Sequence, residues 1–292
     1  MSALRAMALG LATLLPAGCT LGAFNALVPK DPAQTLARDV AYGPLPRQTL
    51  DLYAPPGNGP HPILVFVHGG SWQTGDKGGY AWAGRALACE GFLTVVPNYR
   101  LVPEVRYPDF VADTAAAIAW AHREGARYGG DPARLAAMGH SAGAYNAVQA
   151  AFAPEFLRAE GLEPGAVRAV VSLSGPVDFL PLDTDSTRAA FGEVPPSALP
   201  ATQPINRASE IAPPPTLAIH GTADETVLPR HATALVNAVR AAGGEARLEL
   251  YEGVDHRGVV LGLSRPFRGR VPTLRDASAF LRGALGGPVR PC

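Results

Sequence analysis

From residue 39 onward the chain switches repeatedly between two spacings of apolar positions, and the order of the switches predicts the fold. Asp39-Val40-Ala41-Tyr42 and Gln48-Thr49-Leu50-Asp51-Leu52-Tyr53 alternate with period two, as half-buried edge strands do. Ile63-Leu64-Val65-Phe66-Val67 has no polar position at all, the pattern of a strand covered on both faces. A helical run over 80–90 follows, stopped by Gly91, and then the strand Leu93-Thr94-Val95-Val96. A helix over 109–124 begins after Pro108, the short strand Arg134-Leu135-Ala136-Ala137 comes next, and an Ala-rich helix covers 142–151. The apolar strand 167–173, a strand at 215–220 entered through a proline run, a helix over 231–242 ended by Gly243-Gly244, a strand at 247–251 and a helix over 274–285 complete the series. Strands alternating with helices of this length imply an α/β protein with a mostly parallel sheet of about eight strands and helices on both faces. Antiparallel pairing is expected only at the N-terminal edge. One stretch breaks the rhythm: 176–213 is rich in proline and weakly periodic, and is expected to cross the C-terminal edge of the sheet as a lid.

The chain of 292 residues carries 25 basic and 25 acidic side chains, so no bulk electrostatic force favours nucleic acid as a partner. Its first residues differ from the rest. Arg5 precedes the apolar run 6–15 and then Pro16-Ala17-Gly18-Cys19. Residues 1–19 are expected to be a signal peptide, the apolar run being shorter than the roughly 20 residues of a spanning helix. The small residues before Cys19 resemble the lipobox of bacterial lipoproteins, which would make Cys19 an acylated N-terminus and the protein an exported, periplasmic or membrane-anchored one. Pro16, where that pattern has leucine, leaves simple cleavage open. Residues 20–37, with Pro29 and Pro32, are expected to be a surface tether preceding one domain over 38–292. Cys89, inside a helical pattern, is expected to be a buried free thiol, although an oxidising compartment would permit it to pair with Cys292.

The candidate chemistry centres on Gly139-His140-Ser141-Ala142-Gly143, placed between a strand and a helix. G-x-S-x-G at such a junction makes a sharp turn that lifts the serine hydroxyl above the sheet and starts a helix behind it, where negative charge is stabilised. A serine needs a base, and the base needs an orienting carboxylate. In such a fold these follow in the order serine, acid, histidine, each after a strand. Asp224 in His220-Gly221-Thr222-Ala223-Asp224 and His256 in Val254-Asp255-His256 meet that condition. Asp178, Glu225 and Asp255 are the rival acids. His140, His68 and His220 are expected to be packed or loop-bracing, and His61, His122 and His231 to lie at the surface. A second Gly-rich stretch, His68-Gly69-Gly70-Ser71-Trp72, follows the third strand, and the N–H groups of Gly70 and Ser71 with that of Ala142 are the expected donors of an oxyanion hole. No His or Cys spacing suits a metal, and no cofactor is expected.

HGGSW (68–72), NYR (98–100), GGDP (129–132), GHSAG (139–143), HGTAD (220–224) and DH (255–256) together resemble the esterase and lipase group of the α/β-hydrolases. The stretch from about residue 42 to the C-terminus is most similar to short-lid carboxylesterases of the feruloyl-esterase-like and kynurenine-formamidase-like branches. The resemblance implies hydrolysis of a small or short-chain ester through an acyl-enzyme. An amidase or arylformamidase is the nearest alternative, and a noncatalytic binding protein on the same scaffold is another. Trp72, Tyr99, Phe179 and Phe191 are the aromatic residues expected to shape the substrate pocket.

Overall fold

A computed structural model describes residues 17–286 and 291–292. The leader expected over 1–19 falls, as far as residue 16, outside the described residues. Eight strands form one sheet: β1 (Gln34–Ala41), β2 (Thr49–Ala54), β3 (His61–Val67), β4 (Leu93–Pro97), β5 (Gly130–His140), β6 (Val167–Leu173), β7 (Thr216–Gly221) and β8 (Ala246–Tyr251). Their spatial order is β1-β2-β4-β3-β5-β6-β7-β8. β1 pairs antiparallel with β2, and β2 antiparallel with β4, while every other neighbour is parallel. Two-sided coverage explains the unbroken apolar run of β3, in which all seven residues are buried.

Period two along β3 sorts its side chains between the two layers. Ile63, Val65 and Val67 face a core shared with α3 (Asp109–Glu124), α4 (Ala142–Phe152) and α7 (Arg230–Ala241). Leu64 and Phe66 face the other core, shared with α2 (Ala81–Cys89) and α9 (Thr273–Leu285). Because parallel strands all point the same way, the loops that leave β3, β5, β7 and β8 gather at one edge, and the site is built there.

The segment expected to be a tether is part of the folded body, and that expectation is corrected. Helix α1 (Ala17–Leu27) is followed directly by β1, the outer strand of the sheet. Phe24 meets Trp82 edge to face at 5.3 Å, and Asn25 donates from its amide to the Gly78 carbonyl at 2.8 Å. Asp31 is tied to Arg268 at 2.6 Å, far along the chain. The sequence of 20–37 gave no sign of these partners, because none of them is local.

Cys89 is also not a free thiol: it is joined to Cys292 in a disulfide, and the Cys292 N–H donates to the Cys89 carbonyl at 2.7 Å. His61 and His231, expected at the surface, are both buried. The excursion between β6 and β7 holds one short helix, α6 (Asp185–Phe191), and two single 3-10 turns at Leu199–Thr202 and Pro204–Asn206. It is fastened to α4. The Tyr145 hydroxyl donates to the Thr202 carbonyl at 2.7 Å, the Gln149 amide donates to the Ala201 carbonyl at 3.0 Å, and the Gln203 side chain accepts from the Phe179 N–H at 2.7 Å. These contacts hold 176–213 in place, and its first part, from Pro176 to Thr187, supplies a wall of the site.

Candidate active site

Strand β5 ends at His140 and α4 begins at Ala142, so Ser141 carries the whole reversal of the chain. Its backbone sits at φ 55°, ψ −126°, a conformation that a side chain rarely adopts and that the surroundings must hold in place. The Ser141 N–H donates to the Leu173 carbonyl at 2.9 Å, anchoring the turn to β6. Both glycines of the motif answer to close packing. A methyl group on Gly139 would strike the Gly143 carbonyl, and one on Gly143 would strike the carbonyls of Val67 and His68. The elbow and the end of β3 therefore touch through backbone, and the loop after β3 lies directly against the serine.

His256 follows β8 and opens α8 (His256–Leu261), a short helix capped by Asp255, whose carboxylate accepts from the Gly258 N–H at 2.7 Å. Its Nε2 lies 2.9 Å from Ser141 Oγ, and its Nδ1 lies 2.8 Å from Asp224 Oδ2. The side chain of Asp224 is fully buried. Burial alone would raise its pKa, but hydrogen bonds from His220 and His256 and the N–H of Val227 outweigh that effect and hold the carboxyl well below its usual range. An ionised carboxylate only accepts, so Nδ1 of His256 carries the hydrogen and Nε2 is free to accept from the serine hydroxyl.

The acid is held from several sides. Asp224 Oδ1 accepts from the N–H groups of Thr226 at 3.0 Å and Val227 at 2.9 Å. His220, fully buried at the end of β7, places Nε2 2.7 Å from the Val227 carbonyl and 3.1 Å from Asp224 Oδ2. His140 gives the serine side a similar brace. Its Nε2–H donates to the His256 carbonyl at 3.0 Å, and burial together with the nearby His256 imidazole pushes its pKa down to about 3. The rival acids are engaged elsewhere or open to the cleft: Asp178 pairs with Arg230 at 3.2 Å, Asp255 caps α8, and Glu225 lies in the cleft wall.

The loop after β3 has positive φ at three successive residues, Gly70 (131°), Ser71 (54°) and Trp72 (59°). The Gly70 carbonyl accepts from Gln73 N–H at 3.0 Å and Thr74 N–H at 2.9 Å, and the Trp72 carbonyl accepts from Val102 N–H at 2.9 Å. Those bonds fix the curl with its amides turned free. Among the described residues, the N–H groups of Gly70, Ser71, Trp72 and Ala142 have no acceptor. That the Trp72 N–H shares this lack of an acceptor was not suggested by the sequence, since it follows from the curl of the loop. Below the loop, His68 stacks on Tyr99 at 4.6 Å, and burial pushes its pKa down to about 4.

A cleft of about 280 Å³ runs over Ser141 and Ala142, walled by Ser71, Trp72, Phe179 and His231. Of the four aromatic residues expected to shape it, Trp72 and Phe179 do so. Tyr99 does not: it is buried beneath the loop, its hydroxyl donating to the His68 carbonyl at 3.1 Å. Phe191 is also set back, packed edge to face on Trp72 at 5.1 Å and against Phe179 at 4.9 Å. The Trp72 indole is pinned by donating to Asn146 Oδ1 at 3.0 Å. Both corrections have one cause: an aromatic residue near a site in sequence serves either as lining or as backing, and only packing decides which.

Comparison with known proteins identifies the family. Residues 50–239 match the family model described as BD-FAE. The chain is 31% identical over 255 residues to the probable isoprenylcysteine alpha-carbonyl methylesterase ICME of Oryza sativa subsp. japonica, covering 81% of this chain and 61% of that protein. It is 32% identical over 225 residues to esterase LipC of Mycobacterium tuberculosis, covering 70% of this chain and 55% of LipC. The match thus spans about three fifths or less of these curated relatives. Among solved structures, inhibited esterase B from Lactobacillus rhamnosis superposes with a TM-score of 0.78 at 20% identity, over 91% of this chain and 92% of that one. The chain belongs to the BD-FAE family, within the esterase group of the α/β-hydrolase superfamily.

Proposed function

We propose that this protein is a serine carboxylesterase that hydrolyses small or short-chain carboxylic esters through an acyl-enzyme. The observation that carries the reading is the continuous relay from Ser141 Oγ to His256 Nε2 at 2.9 Å and from His256 Nδ1 to Asp224 Oδ2 at 2.8 Å, beside backbone donors that have no acceptor among the described residues. In this reading Ser141 Oγ attacks the ester carbonyl carbon while His256 Nε2 takes its proton. The carbonyl oxygen becomes an oxyanion and is received by the N–H groups of the 70–72 loop and of Ala142. His256 returns the proton to the departing alcohol as its C–O bond breaks. Water, deprotonated by His256, then attacks the acyl carbon, and Ser141 leaves with the proton. Asp224 stays ionised throughout and keeps the imidazole in the required tautomer.

Substrate size follows from the cleft, whose volume of about 280 Å³ lies just below the usual range of ligand sites, about 300–1,000 Å³. A lid that swings open at a lipid surface needs a helix with a wide apolar stripe. The seven residues of α6 make two turns at most, in a segment fastened to α4. With 4-nitrophenyl esters, kcat/KM is expected to peak at short acyl chains and to fall beyond them. Ser141→Ala should lower kcat by about 10⁴–10⁶-fold with an unchanged circular dichroism spectrum. Wild-type activity in Ser141→Ala would refute the serine mechanism; rates rising steadily to long chains would refute the size limit, and hydrolysis of N-formylkynurenine alone would favour the formamidase alternative.

Export belongs to the same proposal. Residues 1–19 have the order of a signal peptide, and a disulfide between Cys89 and Cys292 suits an oxidising compartment. Mass spectrometry of the protein from its native host should find an N-terminus at residue 18 or 19, with a diacylglyceryl mass on Cys19 if the lipobox is read. A full-length, cytoplasmic chain would overturn export.

A further inference from the structure

His231 lies in the wall of the same cleft as Ser141, at the start of α7, and plays no part in the proton relay. Only 6% of its surface is exposed, and it is one of the residues that line the cleft. Two backbone groups set the orientation and tautomer of its ring. Val177 N–H at 3.4 Å and Asp178 N–H at 3.2 Å both donate to Nδ1. Nδ1 is therefore an acceptor without hydrogen, and the hydrogen of the neutral ring sits on Nε2. Among the described residues Nε2 has no hydrogen-bond partner, and it is not sealed from solvent. Burial and the neighbouring Arg230 push the pKa of the ring down to about 4, so the neutral tautomer persists at neutral pH.

A donor whose ring is fixed through its other nitrogen, on a residue that lines a cleft together with a nucleophile, has one evident use. We propose that His231 Nε2–H binds a second, uncharged oxygen on the substrate, so that the protein selects esters bearing an ether, hydroxyl or carbonyl acceptor close to the scissile bond. The inference rests on the esterase reading. Loss of rotamer freedom does not oppose the bond, because the ring is already oriented by the two hydrogen bonds that Nδ1 accepts from Val177 and Asp178. The preference for an uncharged acceptor comes from the rest of the wall. Asp183 and Glu225 line the cleft and would repel a carboxylate, and Arg230, the cation that could offset them, is paired with Asp178 at 3.2 Å. His231 is a substrate-binding residue in this proposal, with no part in moving protons.

Isosteric pairs that exchange one methylene for an ether oxygen test it on both sides of the ester: 4-nitrophenyl pentanoate against 4-nitrophenyl 3-methoxypropanoate, and butyl acetate against 2-methoxyethyl acetate. The quantity read is the ratio of kcat/KM for the ether to that for the alkyl ester, compared between wild type and His231→Asn, so that intrinsic reactivity cancels. Asn retains an acceptor for the Val177 and Asp178 N–H groups but ends short of the cleft. In at least one pair the ratio should fall about five- to tenfold in His231→Asn, through KM more than kcat, as expected for one neutral hydrogen bond. His231→Gln, which carries an N–H near the position of Nε2, should recover part of the ratio. Equal ratios in wild type and His231→Asn for both pairs would overturn the inference while leaving the esterase reading intact. Failure of the wild type to hydrolyse any of the four esters would strike the esterase reading itself. Should His231→Asn not fold, the wild-type crystal structure with a methoxyethyl phosphonate on Ser141 decides: the ether oxygen lies within about 3.2 Å of Nε2, or the inference fails.

Discussion

The loop after β7 turns its hydrogen-bond donors inward, whereas the loop after β3 leaves its donors open. Around Asp224 the N–H groups of Thr226 and Val227 and the imidazoles of His220 and His256 converge on one carboxylate. In the 70–72 loop the carbonyls of Gly70 and Trp72 are engaged, while among the described residues the three amides have no acceptor. Each loop suits the lifetime of its charge. The charge on Asp224 is permanent and buried, so it must be solvated by the protein at all times. The oxyanion of an ester hydrolysis is transient, and donors already fixed in place lower its energy without reorganising when it forms. Holding unsatisfied amides in position carries a cost: residues at sparsely populated backbone angles are strained by about 1–3 kcal/mol each. Here the strain is contained by the Gly70 and Trp72 carbonyl bonds and by the pinned Trp72 indole.

Breaking the permanent side should have the larger effect. Asp224→Asn removes the acceptor that fixes the His256 tautomer, and an amide offers its own N–H in competition with the histidine. We expect kcat to fall by about 10⁴-fold, measured on a short-chain 4-nitrophenyl ester, with KM little changed. A fall of less than tenfold would return Glu225 or Asp178 to consideration.

On the transient side, Gly70→Ala should cost about 10²–10³-fold in kcat, the effect of losing one oxyanion donor. At φ 131° an alanine is strained, and its methyl group would collide with the Thr74 carbonyl, so the curl that exposes the amides must open. The thermal midpoint should move far less than the rate. An active Gly70→Ala would show that the amides of this loop do not hold the oxyanion.

The smallest effect separates the two loops by pH. His68 beneath the β3 loop and His140 beside the serine are neutral in the folded chain, with pKa values of about 4 and about 3, whereas an unfolded histidine titrates near 6.5. Between those values the unfolded chain binds the extra protons, so stability is complete above about pH 6.5 and declines as pH falls toward 4. Asp224 has a depressed pKa, and its contribution is present above its ordinary value of 3.8 and lost only below it. The thermal midpoint should therefore decline first between pH 6.5 and 4, before any carboxylate matters, and fall further at lower pH. A flat profile from pH 7 to 4.5 would mean that water reaches these histidines.

Much of this was readable from the sequence because it is local. Period-two and apolar runs mark strands whatever they pair with, and the order of strands and helices was enough to give a mostly parallel sheet. The meeting of Ser141, Asp224 and His256 followed from the same order, since residues just past parallel strands emerge at one edge however far apart they lie in the chain. Other features were settled only by the packed structure. Cys89 found Cys292 across 203 residues, α1 and β1 found the body of the domain, Tyr99 and Phe191 became backing and not lining, and His231 entered the cleft wall. Each of these depends on which surfaces close on one another, a long-range outcome that leaves no trace in the spacing of a residue's own neighbours.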